Sequence, residues 1–229
     1  MVNRIIEKTS NEEGKYAEYL IHFLYKGMGI DYVDVSDDKE YQKTDIDAII
    51  MGKKAEIKND TWIARTKNAV YETNTHVPEY QANKFKAFLY EKEHNGEKVS
   101  FDDIPLEYGS IGCNEKCEAD AIYYVSVNEE VAENRRYALN KQNPIYYIKC
   151  KKFKEYVKNK SFDANMIKVK KHKEDNAYNI FICINIDELI EAGVAKMVSS
   201  STRKILESKS GVLYNYHTSQ ELKELLLNE

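Results

Sequence analysis

Proline and glycine are scarce, at 3 and 9 in 229 residues. That scarcity argues against a long linker or a low-complexity, disordered chain. Cysteine is nearly as rare: Cys113, Cys117, Cys150 and Cys183 are the full set. Cys113 and Cys117 are spaced to open a zinc site, but no second Cys or His pair follows at a suitable interval. Reduced, structural thiols are the expectation. No apolar run reaches the roughly 20 residues of a membrane-spanning helix. Met1 to Asn11 is polar and charged, unlike a signal peptide. A soluble, intracellular, cytoplasmic protein with no membrane partner is therefore expected. An excess of positive charge is missing too, since the formal net charge is -4. Any contact with nucleic acid must then come from local basic patches rather than a global field.

What is present is enough to build a core. Hydrophobic residues make up 42% of the chain, and tyrosine alone occurs 18 times. The length suits one large domain or a core with a small appendage. Ser10-Asn-Glu-Glu13 has the form of a capping box. The spacing of Tyr16, Ala17, Leu20, Ile21, Phe23 and Leu24 predicts a helix with one buried stripe, ending near Lys26 before Gly27 and Gly29. Tyr32 to Val35 reads as a short strand or loop. Asn68 to Thr73 reads as a strand following the 44–60 region, and Glu79 to Glu91 as a helix. Ala119 to Val127 and Ile145 to Cys150 read as strands, and Lys152 to Lys158 as a short helix. Ile167 to Lys171 and Tyr178 to Ile184 form an expected strand pair. Asp187 is placed to cap a helix that Gly193 ends, and Thr218-x-x-Glu221 to cap a terminal one. Strands in the middle flanked by helices predict an α/β domain with a mixed sheet. A boundary near 160 divides a core, 1–160, from a strand-helix extension, 161–229, unless the two form a single domain.

The stretch Thr44 to Asp60, TDIDAIIMGKKAEIKND, carries the chemistry. Two apolar runs flank Gly-Lys-Lys, which reads as a hairpin. Side chains alternate along a strand, so Asp45, Asp47 and Ile49 share one face, as do Glu56 and Lys58. With the turn centred on Gly52-Lys53, Asp47 lies opposite Lys58 and Ile49 opposite Glu56. Asp47, Glu56 and Lys58 then cluster on one face, with Ala48, Ile50, Ala55 and Ile57 on the other. Close carboxylates repel unless something cationic sits between them. Lys58 alone is one answer. A divalent cation is another, and hard oxygen ligands suit magnesium or manganese.

An Asp followed across a hairpin by Glu-x-Lys, here Asp47 and Glu56-Ile57-Lys58, resembles the PD-(D/E)xK nuclease superfamily. Ile46 stands where that pattern often has proline. Gly14-Lys-Tyr-Ala-Glu18 resembles the Gly-x-x-x-Glu helix of phage-type and Holliday-junction-resolvase-like members. The later order, with Tyr71-Glu72, Gly109-Ser-Ile-Gly112 and Ala119-Asp120, is similar but looser. The resemblance implies a restriction-endonuclease-like fold and phosphodiester hydrolysis, with DNA favoured over RNA, that depends on Mg²⁺ or Mn²⁺. It implies that Asp47, Glu56, the Ile57 backbone carbonyl and Glu18 serve the metal, and that Lys58 serves the attacking water. It also allows a homodimer, and suggests a phage or bacterial origin. An RNA endonuclease on the same core, or an inactive nucleic-acid-binding module, are the alternatives.

Other residues carry two readings each. Asp45 rivals Asp47 as the lead acid, and both also suit the charged guard of an exposed edge strand. Glu18 is a surface residue by default. His22, one turn after Glu18, suits a metal-binding role in an RNA endonuclease or a half-buried helix position. Glu72 is a further acid for the site or the polar side of a strand. Gln81 is a substrate contact or a neutral surface residue. Lys53, Lys54, Arg65, Lys67 and Lys84 are candidate phosphate contacts, although exposed lysines are ordinary. Trp62 is a stacking platform for a base or a core residue.

Overall fold

A computed structural model describes residues 14, 15, 17, 18, 21, 22, 25, 26, 29–60, 63–126, 145–172 and 176–199. Over them the chain is a mixed α/β protein, with a mixed sheet flanked by helices. The described residues between 14 and 26 are helical. Then come β1 (Tyr32–Asp34), α1 (Lys39–Gln42), β2 (Ala48–Ile50), β3 (Lys53–Asn59), α2 (Ile63–Thr66), β4 (Asn68–Val77) and α3 (Glu79–Asn95). Next are β5 (Lys98–Ser100), β6 (Ser110–Ile111), α4 (Cys113–Lys116), β7 (Ala121–Val125), β8 (Ile145–Lys149) and α5 (Cys150–Lys158). The rest are β9 (Ser161–Asp163), β10 (Ile167–Lys171), β11 (Tyr178–Asn185), α6 (Ile186–Glu191) and β12 (Ala195–Ser199). They divide into two units interleaved along the chain: 1–66, 121–148 and 196–229 in one, 67–120 and 149–195 in the other.

The first unit is built on a sheet ordered β1-β2-β3-β7-β8-β12. β1, β2 and β3 are antiparallel neighbours, and β7 runs parallel to β3 with Ile57 opposite Tyr123. The run Ala121-Ile-Tyr-Tyr-Val125 is buried at every position. A strand covered on both faces reads as such a continuous apolar run, and it belongs inside a sheet. Ala48, Ile50, Ala55 and Ile57 join Ala121, Tyr123, Val125, Ile145 and Tyr147 in one core cluster, as the alternation predicts. Ala17, Ile21 and Tyr25, spaced by four, belong to the same cluster, so the first helical segment lies on this face of the sheet. The Tyr25 hydroxyl donates to that of Tyr123, and the two rings meet edge to face.

The second unit holds a sheet ordered β10-β11-β4-β6 and the small pair β5-β9. The expected pairing of 167–171 with 178–184 is present and antiparallel. The strand expected after the hairpin exists, but it does not extend the hairpin's sheet. As β4 it pairs with β11, Glu72 opposite Phe181. Lys67, at φ 56, stands between α2 and β4 where the chain leaves the first unit. The α3 helix runs to Asn95 and closes on Gly96 in the left-handed conformation, one turn longer than the pattern predicts. The cap of α6 is Asn185, whose side chain accepts from the Asp187 amide, so Asp187 lies inside the helix rather than at its cap. The terminal helix expected at Thr218 lies outside the described residues.

Candidate active site

The hairpin forms with its turn one residue earlier than expected. Ala48 lies opposite Ala55 and Ile50 opposite Lys53, which leaves Met51 and Gly52 as a two-residue loop. Their φ values, 50° and 77°, are those of a type I′ turn, whose twist matches the flanking strands. Glycine adopts this conformation freely, but Met51 does so against its preference. The register therefore slips by two from the expected one. An even slip preserves every facing. Asp47, Glu56 and Lys58 still share a face, but continuing the ladder brings Asp47 opposite Glu56 rather than Lys58.

Asp47 sits where the ladder of β2 gives way. Its amide donates to the Ala55 carbonyl at 2.9 Å, and its own carbonyl accepts from Val35 at 2.9 Å. The Ile57 amide therefore meets the Asp47 carboxylate, at 2.7 Å from Oδ2. Residues of a paired strand send N–H and C=O from the same edge. The Ile57 carbonyl thus leaves β3 on the Asp47 side as well.

The Asp47 and Glu56 side chains lie within hydrogen-bond reach of each other. Two carboxyl groups can hydrogen-bond only if one carries a proton. Failing that, a cation must lie between them. Glu56 is buried, at 9% exposure, and its Oε1 is 3.2 Å from Lys58 Nζ. Burial lifts the Asp47 carboxyl above the usual range, even though the Ile57 amide, Glu56, Lys58 and Lys15 all pull it down.

Glu18 approaches from the first helical segment. It is one residue on from Ala17, and His22 one residue on from Ile21, so both flank the buried stripe. Burial raises the Glu18 carboxyl and the charge of Asp47 raises it further, against hydrogen bonds from Lys15 and Ser36. His22 instead lies against the Tyr32 ring, centroids 4.6 Å apart. Tyr32 is held un-ionised by burial first, and then by the charges of Asp34, Glu18 and Asp47.

A network behind Glu18 escaped the sequence analysis. Ser36, buried at 7% exposure, donates its amide and hydroxyl to Asp34 Oδ1 at 3.0 and 2.7 Å. Lys15 Nζ reaches Ser36 Oγ at 2.7 Å, Asp37 Oδ1 at 3.0 Å and Glu18 Oε2 at 3.2 Å. The signal for it was Asp34-Val-Ser36, an acid followed two residues on by a hydroxyl, which commonly closes a side-chain turn. Its meeting with Lys15 required knowing where the helix docks.

Asp45 lies in the turn before β2, at φ 52. Lys53 and Lys54 are half-buried on β3, and Arg65 is exposed at the end of α2. Glu72 belongs to the second unit, where its carboxylate accepts from the Cys113 amide at 3.2 Å and Asn179 Nδ2 at 2.9 Å. Gln81 is on α3 in that unit, its Oε1 buried without a hydrogen-bond partner. Lys67 pairs with Asp187 at 2.9 Å, and Lys84 is exposed on α3. Trp62 lies outside the described residues.

The donor chemistry fits a hard divalent cation in part. Asp47, Glu56 and the Ile57 carbonyl edge supply oxygen, and the raised Asp47 carboxyl would be relieved by positive charge. Among the described residues, however, no group of three or more His, Cys, Asp or Glu is close enough to hold a metal ion. Glu18, the third carboxylate, is engaged by Lys15. Among the described residues, no helix is long and apolar enough to cross a membrane.

No family model, curated protein or solved structure matches this chain.

Proposed function

We propose that the protein is a divalent-metal-dependent nuclease of the restriction-endonuclease-like, PD-(D/E)xK kind, hydrolysing phosphodiester bonds, with DNA the favoured substrate. The observation that carries this is the Asp47–Glu56 pair, two carboxyl groups within hydrogen-bond reach on one hairpin face with Lys58 at 3.2 Å from Glu56. An acidic pair of this kind, with Glu56 buried and Asp47 half-buried, is costly unless a cation or a proton is its partner.

Asp47, Glu56 and the Ile57 carbonyl would hold Mg²⁺ or Mn²⁺. The metal, when bound, supplies Lewis-acid polarisation of a phosphate oxygen and a more acidic water. The chain's own part is positional. The Ile57 amide fixes one Asp47 oxygen and leaves the other for the ligand. Lys58 is a half-buried donor, 19% exposed, placed to orient the attacking water or to stabilise charge on the phosphate. Glu18 adds a third negative group from the helix. Lys53 and Lys54 on the same strand, and Arg65 beyond it, are cations for the flanking backbone.

The test is incubation of the purified protein with plasmid, single-stranded and branched DNA, and RNA, each with Mg²⁺ or Mn²⁺. Cleavage of DNA that Lys58→Ala and Asp47→Asn each remove is the expected result. Undiminished cleavage in both variants contradicts the assignment, and preference for RNA moves it to the RNA-directed alternative.

A further inference from the structure

We infer that one face of the second unit's sheet is a platform for single-stranded nucleic acid, with Phe181 stacking on a base and Lys168 and Lys170 meeting the flanking phosphates. The inference goes beyond the hydrolytic reading: it concerns binding, stands on the second unit's residues alone and needs no metal ion.

The sheet β10-β11-β4-β6 is antiparallel throughout. Such sheets commonly pack one face and leave the other to solvent. β11 alternates strictly, with Tyr178, Ile180, Ile182 and Ile184 buried and Asn179, Phe181 and Cys183 half-buried. It lies between β10 and β4, so the alternation separates two faces of a sheet and does not mark an edge. The buried face is packed. Tyr71, opposite Ile182, meets the Phe153 ring of α5 edge to face, centroids 5.0 Å apart. Residues directly across a strand pair share a face. Lys168 lies opposite Phe181 and Lys170 opposite Asn179, so the two lysines join Phe181 on the other face, and both are exposed.

Charge and ring are laid out for a strand of nucleotides. Lys168 and Lys170 stand two residues apart on β10, about 7 Å along it, so each can meet a separate phosphate. Phe181 is one strand further in, where the base between those phosphates would lie. Lys170 Nζ rests 5.6 Å from the centre of the Phe181 ring. A cation over a ring that water still reaches is held weakly, so a base can take its place while the ammonium moves to a phosphate. Every base has a π-face, so this contact requires no particular sequence. In a duplex those faces are covered by neighbouring bases, and the ring therefore favours single strands. The acid on this face is Glu72 of β4, opposite Phe181 and on its far side from the lysines. Its oxygens accept from the Cys113 amide and Asn179 Nδ2, and Asn179 Oδ1 accepts from the Thr75 hydroxyl at 3.1 Å. That network holds the carboxylate away from the path of the phosphates along β10.

The experiment is fluorescence anisotropy of labelled oligothymidylate and oligouridylate with the full chain in EDTA, over a range of salt, with circular dichroism confirming the fold of each variant. At least one oligomer should bind, and the tighter of the two assigns the strand as DNA or RNA. Phe181→Leu, which keeps an apolar side chain, should weaken binding about tenfold, the scale of one lost base stack, and leave the salt dependence unchanged. Phe181→Tyr, which keeps a ring, should bind as the parent does. Lys168→Gln/Lys170→Gln should lower the slope of log affinity against log salt by about 1.4, the value for two phosphates of a single strand. Lys151→Gln/Lys152→Gln makes the same charge change at exposed positions of α5 and should alter neither affinity nor slope. Equal loss in the two lysine pairs, or parent affinity in Phe181→Leu, overturns the platform. So does duplex DNA that binds as tightly as the single strands, or displacement by oligoglutamate as effective as by unlabelled oligonucleotide, which marks a surface for acidic peptides. Absence of binding in EDTA also overturns it and leaves metal-dependent cleavage to its own test.

Discussion

Two acidic side chains of this protein, Glu72 on β4 and Asp47 just before β2, are half-buried, and the two are treated differently. On β4, Glu72 has a donor for each carboxylate oxygen, from Cys113 and Asn179, while its amide donates to Asn114. Beside β2, Asp47 has one amide donor, and its other neighbours include Glu56 and the charge of Glu18. The Glu72 arrangement is what a fold does with a carboxylate it needs for structure. The Asp47 arrangement places acids against one another inside a partly dry site. The difference teaches that position on a strand says little about role, whereas the completeness of the donor set says much. Burial with incomplete compensation is the condition in which functional groups are found.

The comparison breaks most visibly in activity. Lys58→Ala and Asp47→Asn should each lower cleavage by about 10²-fold or more, the scale of a lost acid–base or charge-stabilising group. Glu72→Gln should leave kcat within about threefold, since its oxygens are engaged in the second unit. A nuclease assay on the three purified variants checks both expectations.

In stability the order reverses. Glu72→Ala should destabilise by about 1–3 kcal/mol, because the Cys113 amide and the Asn179 amide lose their acceptor. Gly112→Ala belongs to the same region, where an added Cβ would lie 2.6 Å from the Glu72 carbonyl oxygen. A cost of about 2 kcal/mol or more is expected there from backbone displacement. Glu18→Gln and Asp47→Asn should instead stabilise by about 0.5–2 kcal/mol at neutral pH, as substitutions of strained functional groups often do. Thermal melts of the four variants measure these signs. Loss of stability in both Glu18→Gln and Asp47→Asn would erase the contrast.

A smaller effect follows from pH. Asp47 and Glu18 have folded values raised above the unfolded ones. Between the unfolded and folded values the folded state binds more protons, so their contribution falls as pH rises through that window and recovers on acidification. Asp34 and Asp103 are shifted the other way. Burial pushes Asp34 up but hydrogen bonds from Ser36 outweigh it, and hydrogen bonds from Ser100 lower Asp103. Their contributions are present above the unfolded value and lost as pH falls through the folded one. Acidification from neutral should first raise the melting temperature slightly and then lower it. The initial rise should be absent in Asp47→Asn/Glu18→Gln, as a melting series in steps of pH would show.

Much of the first unit was legible because local rules govern it. Alternation alone placed Ala48, Ile50, Ala55 and Ile57 in the core and Asp47, Glu56 and Lys58 together on the other face. The two-residue error in register came from the turn, where Met51 takes a left-handed φ that residue preference disfavours. It did no harm to the facing because the slip was even. The strand Asn68–Val77 was legible as a strand but not as a member of a different sheet. Which neighbour a strand chooses depends on partners such as Tyr178–Asn185, distant in sequence. The Lys15–Ser36–Asp34 network was hidden for the same reason. Each residue is ordinary alone, and only docking the helix onto the sheet through Ala17, Ile21 and Tyr25 brings them together.

The central claim is that Asp47 and Glu56 face each other in order to share a divalent cation. A crystal soaked in Mn²⁺, with anomalous diffraction recorded near the manganese edge, addresses that claim at the atoms concerned. The account predicts a peak between the Asp47 and Glu56 carboxylates, beside the Ile57 carbonyl, that disappears in Asp47→Asn. A well-ordered hairpin with no peak there, or a peak indifferent to Asp47→Asn, would contradict it.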